Sequence, residues 1–530
     1  MKEGVNCSDS YSLLSQWRSF KFKLIGEGVL VGILSGFIVV LYRFAIDAIG
    51  NFRSHLLYTL SGNILKYLLW FIVLACLALV TVFALNRDPL IGGSGIPQVQ
   101  GELTDAVDMN WWRVIILKFV AGVLAIGGGL SLGREGPSIQ LGAAAGKGVG
   151  RFFKRGKVEE KFLITSGASA GLAAAFNAPL AGVIFSLEEL HKNFSPLVLL
   201  SAMSSALTAD FVSKQFFGLK PVFSINVLEP LPLSHYWLLI IFGIIVGVFG
   251  VLFNLTLMKT LKMLDHLKRL LRLVIAFMIA GLMAFVLPQV LGGGHDLIEE
   301  ASQGAFSLKL LLVILAAKFF FTMVSFGSGT PGGIFLPMLV IGALTGSAFG
   351  VISADTLGIS NNYVHNFIIL GMAGYLTAVV RSPITASILI TEMTGSFDHL
   401  LSLSIVSIIA YITADLMKSE PIYESLLHRL LKGKKMTSND ERKTVIELPV
   451  CIGSQVENKA IREIKWPKHT LLVGIRRGGG EIIPKGDTVI KAGDYLLILA
   501  MEADHHRVKE ELAKSVSEVI SSSIGSVRPD

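Results

Sequence analysis

Long apolar runs recur along the 530-residue chain and limit what it can fold into. Residues 24–49, 64–85 and 236–261 are each long enough to cross the hydrocarbon core of a bilayer, which takes about 20 apolar residues. Hydrophobic residues make up 52% of the chain and charged residues only 16%. Soluble domains rarely combine this composition with so many long runs. The sequence therefore predicts an all-α, polytopic membrane protein.

The basic residues are concentrated beside these runs. The net charge is +8, and residues 18–23 and 151–161 are basic clusters. Positive charge beside spans marks the cytoplasmic side, so this charge indicates membrane orientation and needs no nucleic-acid partner. Residues 1–17 are polar, and no cleavable signal peptide is predicted. The cysteines, Cys7, Cys76 and Cys451, are too scattered to predict a disulfide framework or a metal site.

Several apolar segments are interrupted in a way that helps to define their architecture. Residues 162–187 are broken at Asn177-Ala178-Pro179, and residues 367–390 at Arg381-Ser382-Pro383, so each predicts two half-length helices. Non-helical backbone at membrane depth survives only when it is buried in protein or lines a cavity. Interrupted segments in corresponding places of two halves are typical of transporters with internal repeats.

A repeat is also visible in the residues themselves, with halves at about 24–217 and 233–430. Four positions recur at an offset of 200 and two at an offset of 204. The matches are Pro137, Gly142, Ala143 and Gly146 with Pro337, Gly342, Ala343 and Gly346, and Pro179 and Glu188 with Pro383 and Glu392. Glycine, alanine and proline are common in membrane helices, so coincidence is the alternative. The constant order favours duplication.

The sequence SLGREGPSIQLGAAAG, residues 131–146, places Arg134 and Glu135 at the end of an apolar run. Charged groups at that depth cost about 2.5–3.5 kcal/mol each on insertion scales and usually line a pathway. Gly136 and Pro137 predict the first turn of a new helix, with Glu135 just outside its N-terminus. Helix N-termini attract anions, so this carboxylate would be a tethered anion competing with a free one. The alternative is a structural ion pair between Arg134 and Glu135.

Two further glycine-rich turns resemble the one at residues 133–137. Glycine-rich turns at residues 93–97, 133–137 and 329–337 each lead into a helix and leave N–H groups free to face an anion. Tyr423 follows the last span. We expect these four places to form one site, although Ser94 is also a suitable helix N-cap and Tyr423 a suitable interfacial residue. The turns contribute the expected pore-lining residues Gly93, Gly95, Pro97, Gly133, Arg134, Gly136, Pro137, Gly333 and Pro337.

Residues 24–430, which contain these motifs, resemble the CLC family of chloride channels and chloride/proton antiporters. The family signatures GSGIP, GREGP and GGIFxP stand at residues 93–97, 133–137 and 332–337. The resemblance implies an inverted repeat of broken helices and a homodimer with one pore per subunit. It also implies a prokaryotic plasma-membrane location with both termini cytoplasmic. By motif, Ser94, Tyr423 and the backbone amides of Ile334 and Phe335 would bind the anion, Glu135 would be the gating glutamate, and Glu189 the internal proton-transfer glutamate.

Three functions follow from these residues. The glutamate at position 189 accompanies exchange in the family, which favours a chloride/proton antiporter, and the alternative is a passive chloride channel. A third reading takes the GGSG of residues 92–95 as the nucleophile motif of an intramembrane serine protease, which would need a histidine base nearby. Glu188 and Glu189 would be a solvated helix end in the structural alternative. The serine of GSGIP resembles that of the chloride-type members, so the expected substrates are chloride and protons, with no cofactor.

The tail differs from the rest of the chain. A polar, basic linker at residues 431–442 precedes an α/β module at 443–513, and residues 514–530 form a flexible tail in this interpretation. Strands are predicted at 445–450, 470–475 and 495–500, a turn at 477–480 and a helix at 506–514. The module resembles the C-terminal regulatory subdomain of potassium-uptake (TrkA) and RCK proteins. That resemblance implies dimerisation and a small ligand such as a cyclic dinucleotide; an assembly domain without ligand is the alternative.

Overall fold

The computed structural model describes residues 7–59, 64–192, 195–219, 221–223, 230–432, 443–450, 454–477, 480–501, 508 and 511–512. Contacts divide the chain into two compact units, Met1–Leu431 and Lys432–Asp530. Most of the predicted linker, at residues 433–442, and the predicted tail at 514–530 lie outside the described residues.

The named elements of the first unit are all helices in its described residues, as the apolar runs predict. Its first half contains α1 Cys7–Thr59, α2 Ile64–Arg87, α3 Ile96–Leu103, α4 Trp111–Gly127, α5 Glu135–Phe152, α6 Lys157–Phe176, α7 Pro179–Phe185 and α8 Pro196–Phe217. Its second half contains α9 Trp237–Leu264, α10 Arg269–Val286, α11 His295–Ser302, α12 Leu308–Gly327, α13 Phe335–Leu357, α14 Val364–Val380, α15 Pro383–Thr394, α16 Leu400–Leu416 and α17 Ile422–Lys432. Among the described residues, eight helices are long and apolar enough to cross a membrane.

Both predicted interruptions are present. The chain turns at Asn177, with φ 52°, between α6 and α7, and at Arg381, with φ 75°, between α14 and α15. A proline starts the second helix of each pair, because its fixed φ suits the first turn and its missing N–H costs nothing there. The helix that contains the predicted span at residues 24–49 is longer than the apolar run, because α1 extends from Cys7 to Thr59.

The two halves are an inverted repeat. Helices α5 and α6 pack together as α13 and α14 do, and α1 packs on α8 as α9 packs on α16. At the junction Gly133 N–H donates to the Gly333 carbonyl at 2.7 Å, and Gly333 N–H donates to the Gly133 carbonyl at 2.8 Å. This pair of bonds is antiparallel, so the two segments are related by a local two-fold axis. Helices α13 and α14 are enclosed by other helices, whereas α2 and α10 present most of their surface outward.

The second unit contains four strands, β1 Lys443–Pro449, β2 Thr470–Arg477, β3 Gly480–Ile482 and β4 Tyr495–Met501. They form one antiparallel sheet in the order β1-β4-β2-β3. The three predicted strands are confirmed, and β3 was not predicted because it is only three residues long. Ile446, Ile475, Leu496 and Ile498 form its buried core. The predicted turn and helix lie largely outside the described residues.

Candidate functional site

The three glycine-rich turns meet at the start of α3, α5 and α13. The Gly93 carbonyl accepts a hydrogen bond from Gly332 N–H at 3.1 Å, which joins the first turn to the third. Gly136 approaches the first turn so closely that a Cβ on it would lie 2.5 Å from Ser94 Oγ. Gly95 has φ 99°, a conformation that favours glycine. The turns that are far apart in sequence therefore bring three helix N-termini together.

Prolines and close backbone contacts shape these helix starts. Pro97, Pro137 and Pro337 all stand in the first turn of their helices, where a missing N–H is tolerated. Pro137 and Pro337 are the third residues of α5 and α13, so these two helices begin in the same way in the two halves.

Glu135 is the first residue of α5, not a residue just outside it, so that part of the prediction was wrong. The helix starts one residue before the predicted first turn at Gly136 and Pro137, and Arg134 is its N-cap residue. The Glu135 side chain is completely buried and folds back over Gly133. Among the described residues no side chain hydrogen-bonds to the carboxylate, which is faced by the backbone N–H groups of Glu135 itself and of Leu336. Arg134 instead forms its ion pair with Asp47, at 3.9 Å.

Two hydroxyl groups and one helix N-terminus lie close to this carboxylate. Ser94 and Tyr423 are buried, and their hydroxyl groups face each other. Beyond this mutual contact, neither hydroxyl has a hydrogen-bond partner among the described residues. Tyr423 also interacts electrostatically with Glu135. Ile334 is the N-cap residue of α13, and Phe335 is the first residue of that helix. The first backbone hydrogen bond of α13 is donated by Met338, so the N–H groups of Ile334 and Phe335 are not used within the helix. The burial of Tyr423 at the start of α17 excludes the interfacial position considered for it.

Phe335 closes one side of this region. Its ring lies 5.5 Å from the ring of Phe176 and 6.0 Å from the ring of Phe185, measured between centroids. A cavity of about 850 Å³ reaches the other side, lined by Leu132, Arg134 and Leu336, which flank the Glu135 carboxylate. The cavity therefore reaches the neighbours of Glu135, while Glu135 itself stays buried behind them.

Glu189 lies in a π-helical turn, Ser186–His191, that continues α7. Its side chain is only 5% exposed, so it is not part of a solvated helix end. Gln100 Nε2 donates to Glu189 Oε1 at 2.9 Å, and Ser382 Oγ donates to Oε2 at 3.1 Å. Single-turn π-helices are frequent at functional sites.

The neighbouring Glu188 has a different role. Its carboxylate accepts from Thr385 N–H at 2.8 Å and from Ile384 N–H at 3.4 Å, at the start of α15. The repeat places a second cap at the start of α7, where Glu392 accepts from Leu180 and Ala181 N–H at 3.1 and 2.8 Å. The two glutamates therefore form a reciprocal pair of helix caps.

Two buried lysines were missed from the sequence. Lys118 Nζ donates to the carbonyls of Ile91 and Gly93, at 2.8 and 2.7 Å, and so holds the turn that carries Ser94. Lys318 does the same for the equivalent turn in the second half, at the carbonyls of Val290 and Gly292. The two lysines are separated by the repeat offset of 200, which is the signal that could have revealed them.

The geometry does not support a nucleophilic serine. Among the described residues no histidine hydrogen-bonds to Ser94 Oγ, so the base that a serine nucleophile needs is missing. The site instead combines buried hydroxyls, helix N-termini and two buried carboxylates inside an inverted-repeat membrane fold. These features define a secondary transporter of small anions.

Comparison with known proteins agrees with this class. Residues 79–415 match the voltage gated chloride channel family, and residues 445–513 match the TrkA-C domain. A protein of Vibrio cholerae named as the H(+)/Cl(-) exchange transporter ClcA is 37% identical over 430 residues, which cover 79% of this chain and 92% of that protein. A Citrobacter koseri protein of the same name is 36% identical over 413 residues, which cover 76% of this chain and 87% of that protein.

Solved structures match in the same region. The structure of a slow cyanobacterial Cl-/H+ antiporter aligns with a TM-score of 0.74 and 30% identity, covering 78% of this chain and 98% of that chain. A CLC-type fluoride/proton antiporter aligns with a TM-score of 0.64 at 24% identity, over 76% of this chain and 97% of that one; this similarity concerns the fold alone. The chain belongs to the voltage-gated chloride channel (CLC) family and carries a TrkA-C domain after its membrane unit.

Proposed function

We propose that this integral membrane protein exchanges chloride for protons, with Glu135 as the gate. The observation that carries the proposal is the arrangement around Glu135: a buried carboxylate that no side chain pairs with faces backbone N–H groups at the starts of α5 and α13, beside the hydroxyls of Ser94 and Tyr423. Hydroxyls and helix N-termini bind an anion firmly enough for entry and weakly enough for release. The backbone amides of Ile334 and Phe335 complete this proposed anion site.

The exchange follows from competition for one place. An ionised Glu135 carboxylate is itself an anion, and it occupies the helix N-termini that a chloride ion needs. Once protonated, the side chain is neutral and no longer competes, so chloride takes its position. Proton occupancy of Glu135 and anion occupancy of the site are therefore linked, which is what coupled exchange requires.

Glu189 is the proposed entry point for protons from the cytoplasmic side of the membrane. It is buried, is held by Gln100 and Ser382, and interacts electrostatically with Tyr423. The proton route would run from Glu189 to Glu135. The proton route and the anion route would separate near Tyr423. Two buried carboxylates at the two ends of such a route are typical of proton-coupled transporters.

The relatives named as H(+)/Cl(-) exchange transporters support exchange over a passive channel. The decisive test is reconstitution of the protein in liposomes with an outward chloride gradient, in weakly buffered medium, with an external pH electrode. An exchanger drives protons inward against their own gradient, so the external pH rises as chloride leaves. Chloride efflux without any proton movement would refute the proposal and establish a channel.

The assembly and orientation are further parts of the proposal. We expect a homodimer in a prokaryotic plasma membrane, with one complete pore in each subunit and both termini cytoplasmic. One complete pore in each subunit is supported by the proposed gate, because Ser94, Glu135, Phe335 and Tyr423 all belong to one unit of a single chain. Crosslinking in membranes and protease access to the C-terminal unit from either side would test these two points.

The TrkA-C domain is the proposed regulatory part. The expected ligand is a small molecule such as a cyclic dinucleotide, and an assembly role without ligand is the alternative. Exchange rates of the full-length protein with and without added cyclic dinucleotide would separate the two.

A further inference from the structure

The carboxylate of Glu189 is held on both of its oxygens, and the two partners differ chemically. Gln100 Nε2 donates to Oε1 at 2.9 Å and also to the Glu189 backbone carbonyl at 3.0 Å. Both of these groups are acceptors, so the amide nitrogen of Gln100 must point towards them. Ser382 Oγ lies 3.1 Å from the other oxygen, Oε2. Only the serine is able both to donate and to accept a hydrogen bond.

Ser382 stands where its hydroxyl would ordinarily do something else. It is the N-cap residue of α15, and a serine there usually accepts a hydrogen bond from a backbone N–H of the first turn. The Ser382 side chain forms no such cap. Glu188 accepts from those N–H groups instead, at Ile384 and Thr385. The hydroxyl of Ser382 is therefore available to Glu189.

The repeat supplies an internal comparison. The equivalent helix α7 begins with Ala178 at its N-cap, and Glu392 accepts from its free N–H groups. This kind of helix start therefore needs no serine. The offset of 204 also places Met393 at the position equivalent to Glu189. Of the two helix starts, the one beside a carboxylate has the hydroxyl, and the one beside a methionine lacks it.

We propose that Ser382 is the positioning residue for the proton on Glu189, which is carried on Oε2. When Glu189 is ionised, Ser382 donates its hydroxyl hydrogen to Oε2. When Glu189 is protonated, its Oε2–H donates to Ser382 Oγ, and Gln100 keeps its bond to Oε1. The hydroxyl turns between the two states, and both oxygens keep a partner throughout. The inference deepens the proposed exchange function and rests on it.

Other charged or titratable groups also face Glu189. Lys192 lies at the end of the same π-helical turn, and Glu424 and Tyr423 lie on α17. Lys192 and Glu424 pair with each other at the surface. These groups remain unchanged in the variants below, so a difference between variants reports the hydroxyl.

The test compares proton and chloride fluxes in liposomes for four proteins: wild type, Ser382→Ala, Ser382→Thr and Glu189→Gln. We expect Ser382→Ala to lower the ratio of protons to chloride by about five- to tenfold, the effect of losing one hydrogen bond. The pH dependence of exchange should move to higher pH, because the bond to the ionised carboxylate is the stronger of the two lost. Ser382→Thr keeps a hydroxyl and should restore both properties.

Two controls complete the test. Ala178→Ser adds the same hydroxyl at the equivalent helix start, where no glutamate replaces Met393, and should leave the flux ratio unchanged. Ser382→Ala combined with Glu189→Gln should match Glu189→Gln alone. The inference is refuted if Ser382→Ala keeps the wild-type ratio and pH profile while Glu189→Gln loses proton flux, or if Ser382→Ala abolishes chloride flux as well. A wild-type protein without proton flux would instead remove the proposed function.

Discussion

Glu135 combines complete burial with a position at a helix start, and the two features act in opposite directions. Burial disfavours the charge of a carboxylate, whereas the N–H groups and dipole of α5 favour it. A group in this balance can change its charge when an anion arrives or leaves. This is why one residue can serve both as gate and as proton carrier in the proposed mechanism.

The first prediction concerns the charge of that residue. Glu135→Gln keeps the shape of the side chain but removes its charge, so it imitates the protonated gate. We expect chloride flux to persist, proton flux to fall to background, and the pH dependence of chloride flux to become flat. Stopped-flow or electrode measurements of chloride efflux between about pH 4 and 8 would check this, since carboxylates in proteins titrate across that range. A variant with an unchanged pH dependence would contradict the gating role.

The second prediction concerns the hydroxyls. Tyr423→Phe removes one proposed donor to the anion and should weaken chloride binding by about 1 kcal/mol, or roughly fivefold. Isothermal titration of chloride into the detergent-solubilised protein would measure it. Tyr375→Phe is the matched control, because that hydroxyl is also buried but lies on α14, with no hydrogen-bond partner among the described residues. Equal effects of the two changes would rule out a specific role for Tyr423.

Among the elements, the paired half-helices depend on caps from the opposite repeat. Glu188 from the first half caps α15, and Glu392 from the second half caps α7. Each carboxylate joins a helix N-terminus of the other half, so the caps also join the halves. The two caps are therefore equivalent in the two halves, but the residues beside them differ. Glu189 corresponds to Met393, and Ser382 corresponds to Ala178.

The third prediction follows from this symmetry. Glu392→Gln weakens two hydrogen bonds at the start of α7 and should destabilise the membrane unit by about 1 kcal/mol. Thermal unfolding in detergent should show a lower midpoint, while the proton-to-chloride ratio stays that of the wild type. Glu188→Gln should lower the midpoint at least as much, because the Thr385 hydroxyl also donates to Glu188 at 2.6 Å. It should also change the ratio, since α15 carries Ser382. Identical ratios in the two variants would mean that the start of α15 does not influence Glu189.

How much of this could be predicted from the sequence depends on the range of the interactions. The broken helices were predictable, because Asn177-Ala178-Pro179 and Arg381-Ser382-Pro383 change the backbone locally. The roles of Lys118 and Lys318 were not, because their acceptors are carbonyls more than 20 residues away that no local pattern identifies. A π-helical turn also shifts the helix register, so the sequence could not predict that Glu188 faces a helix end.

The second unit of the molecule contains an ion pair with a buried carboxylate. In the second unit, Arg477 makes two hydrogen bonds of 2.7 Å to the buried Asp494, whose Oδ2 also accepts from Lys491 N–H. Burial raises the pKa of Asp494, but the bonds from Arg477 and Lys491 outweigh it and hold the pKa below its ordinary value.

The fourth prediction is a pH dependence of this unit. Because the pKa of Asp494 is lower in the folded state, its contribution is complete above the ordinary value of 3.8 and is lost as the pH falls through the folded value. Asp494→Asn should therefore lower the free energy of unfolding of this unit at neutral pH by about 2 kcal/mol. The further loss of stability on acidification should be smaller in the variant than in the wild type. Hydrogen exchange of β4 peptides in the full-length protein would measure both effects. Equal protection of the two proteins at neutral pH would contradict the argument.

The fifth prediction asks which unit performs exchange. Ser94, Glu135, Glu189, Ser382 and Tyr423 all lie in the first unit, and the Vibrio cholerae relative is matched over 92% of its length by 79% of this chain. A protein ending at Lys432 therefore retains every group proposed to bind chloride or carry a proton. It should show the proton-to-chloride ratio of the full-length protein in liposomes, because coupling depends on geometry around Glu135 and Glu189. Any regulation by a ligand of the TrkA-C domain should be absent. A folded truncated protein that passes chloride without protons would place part of the coupling machinery in the second unit.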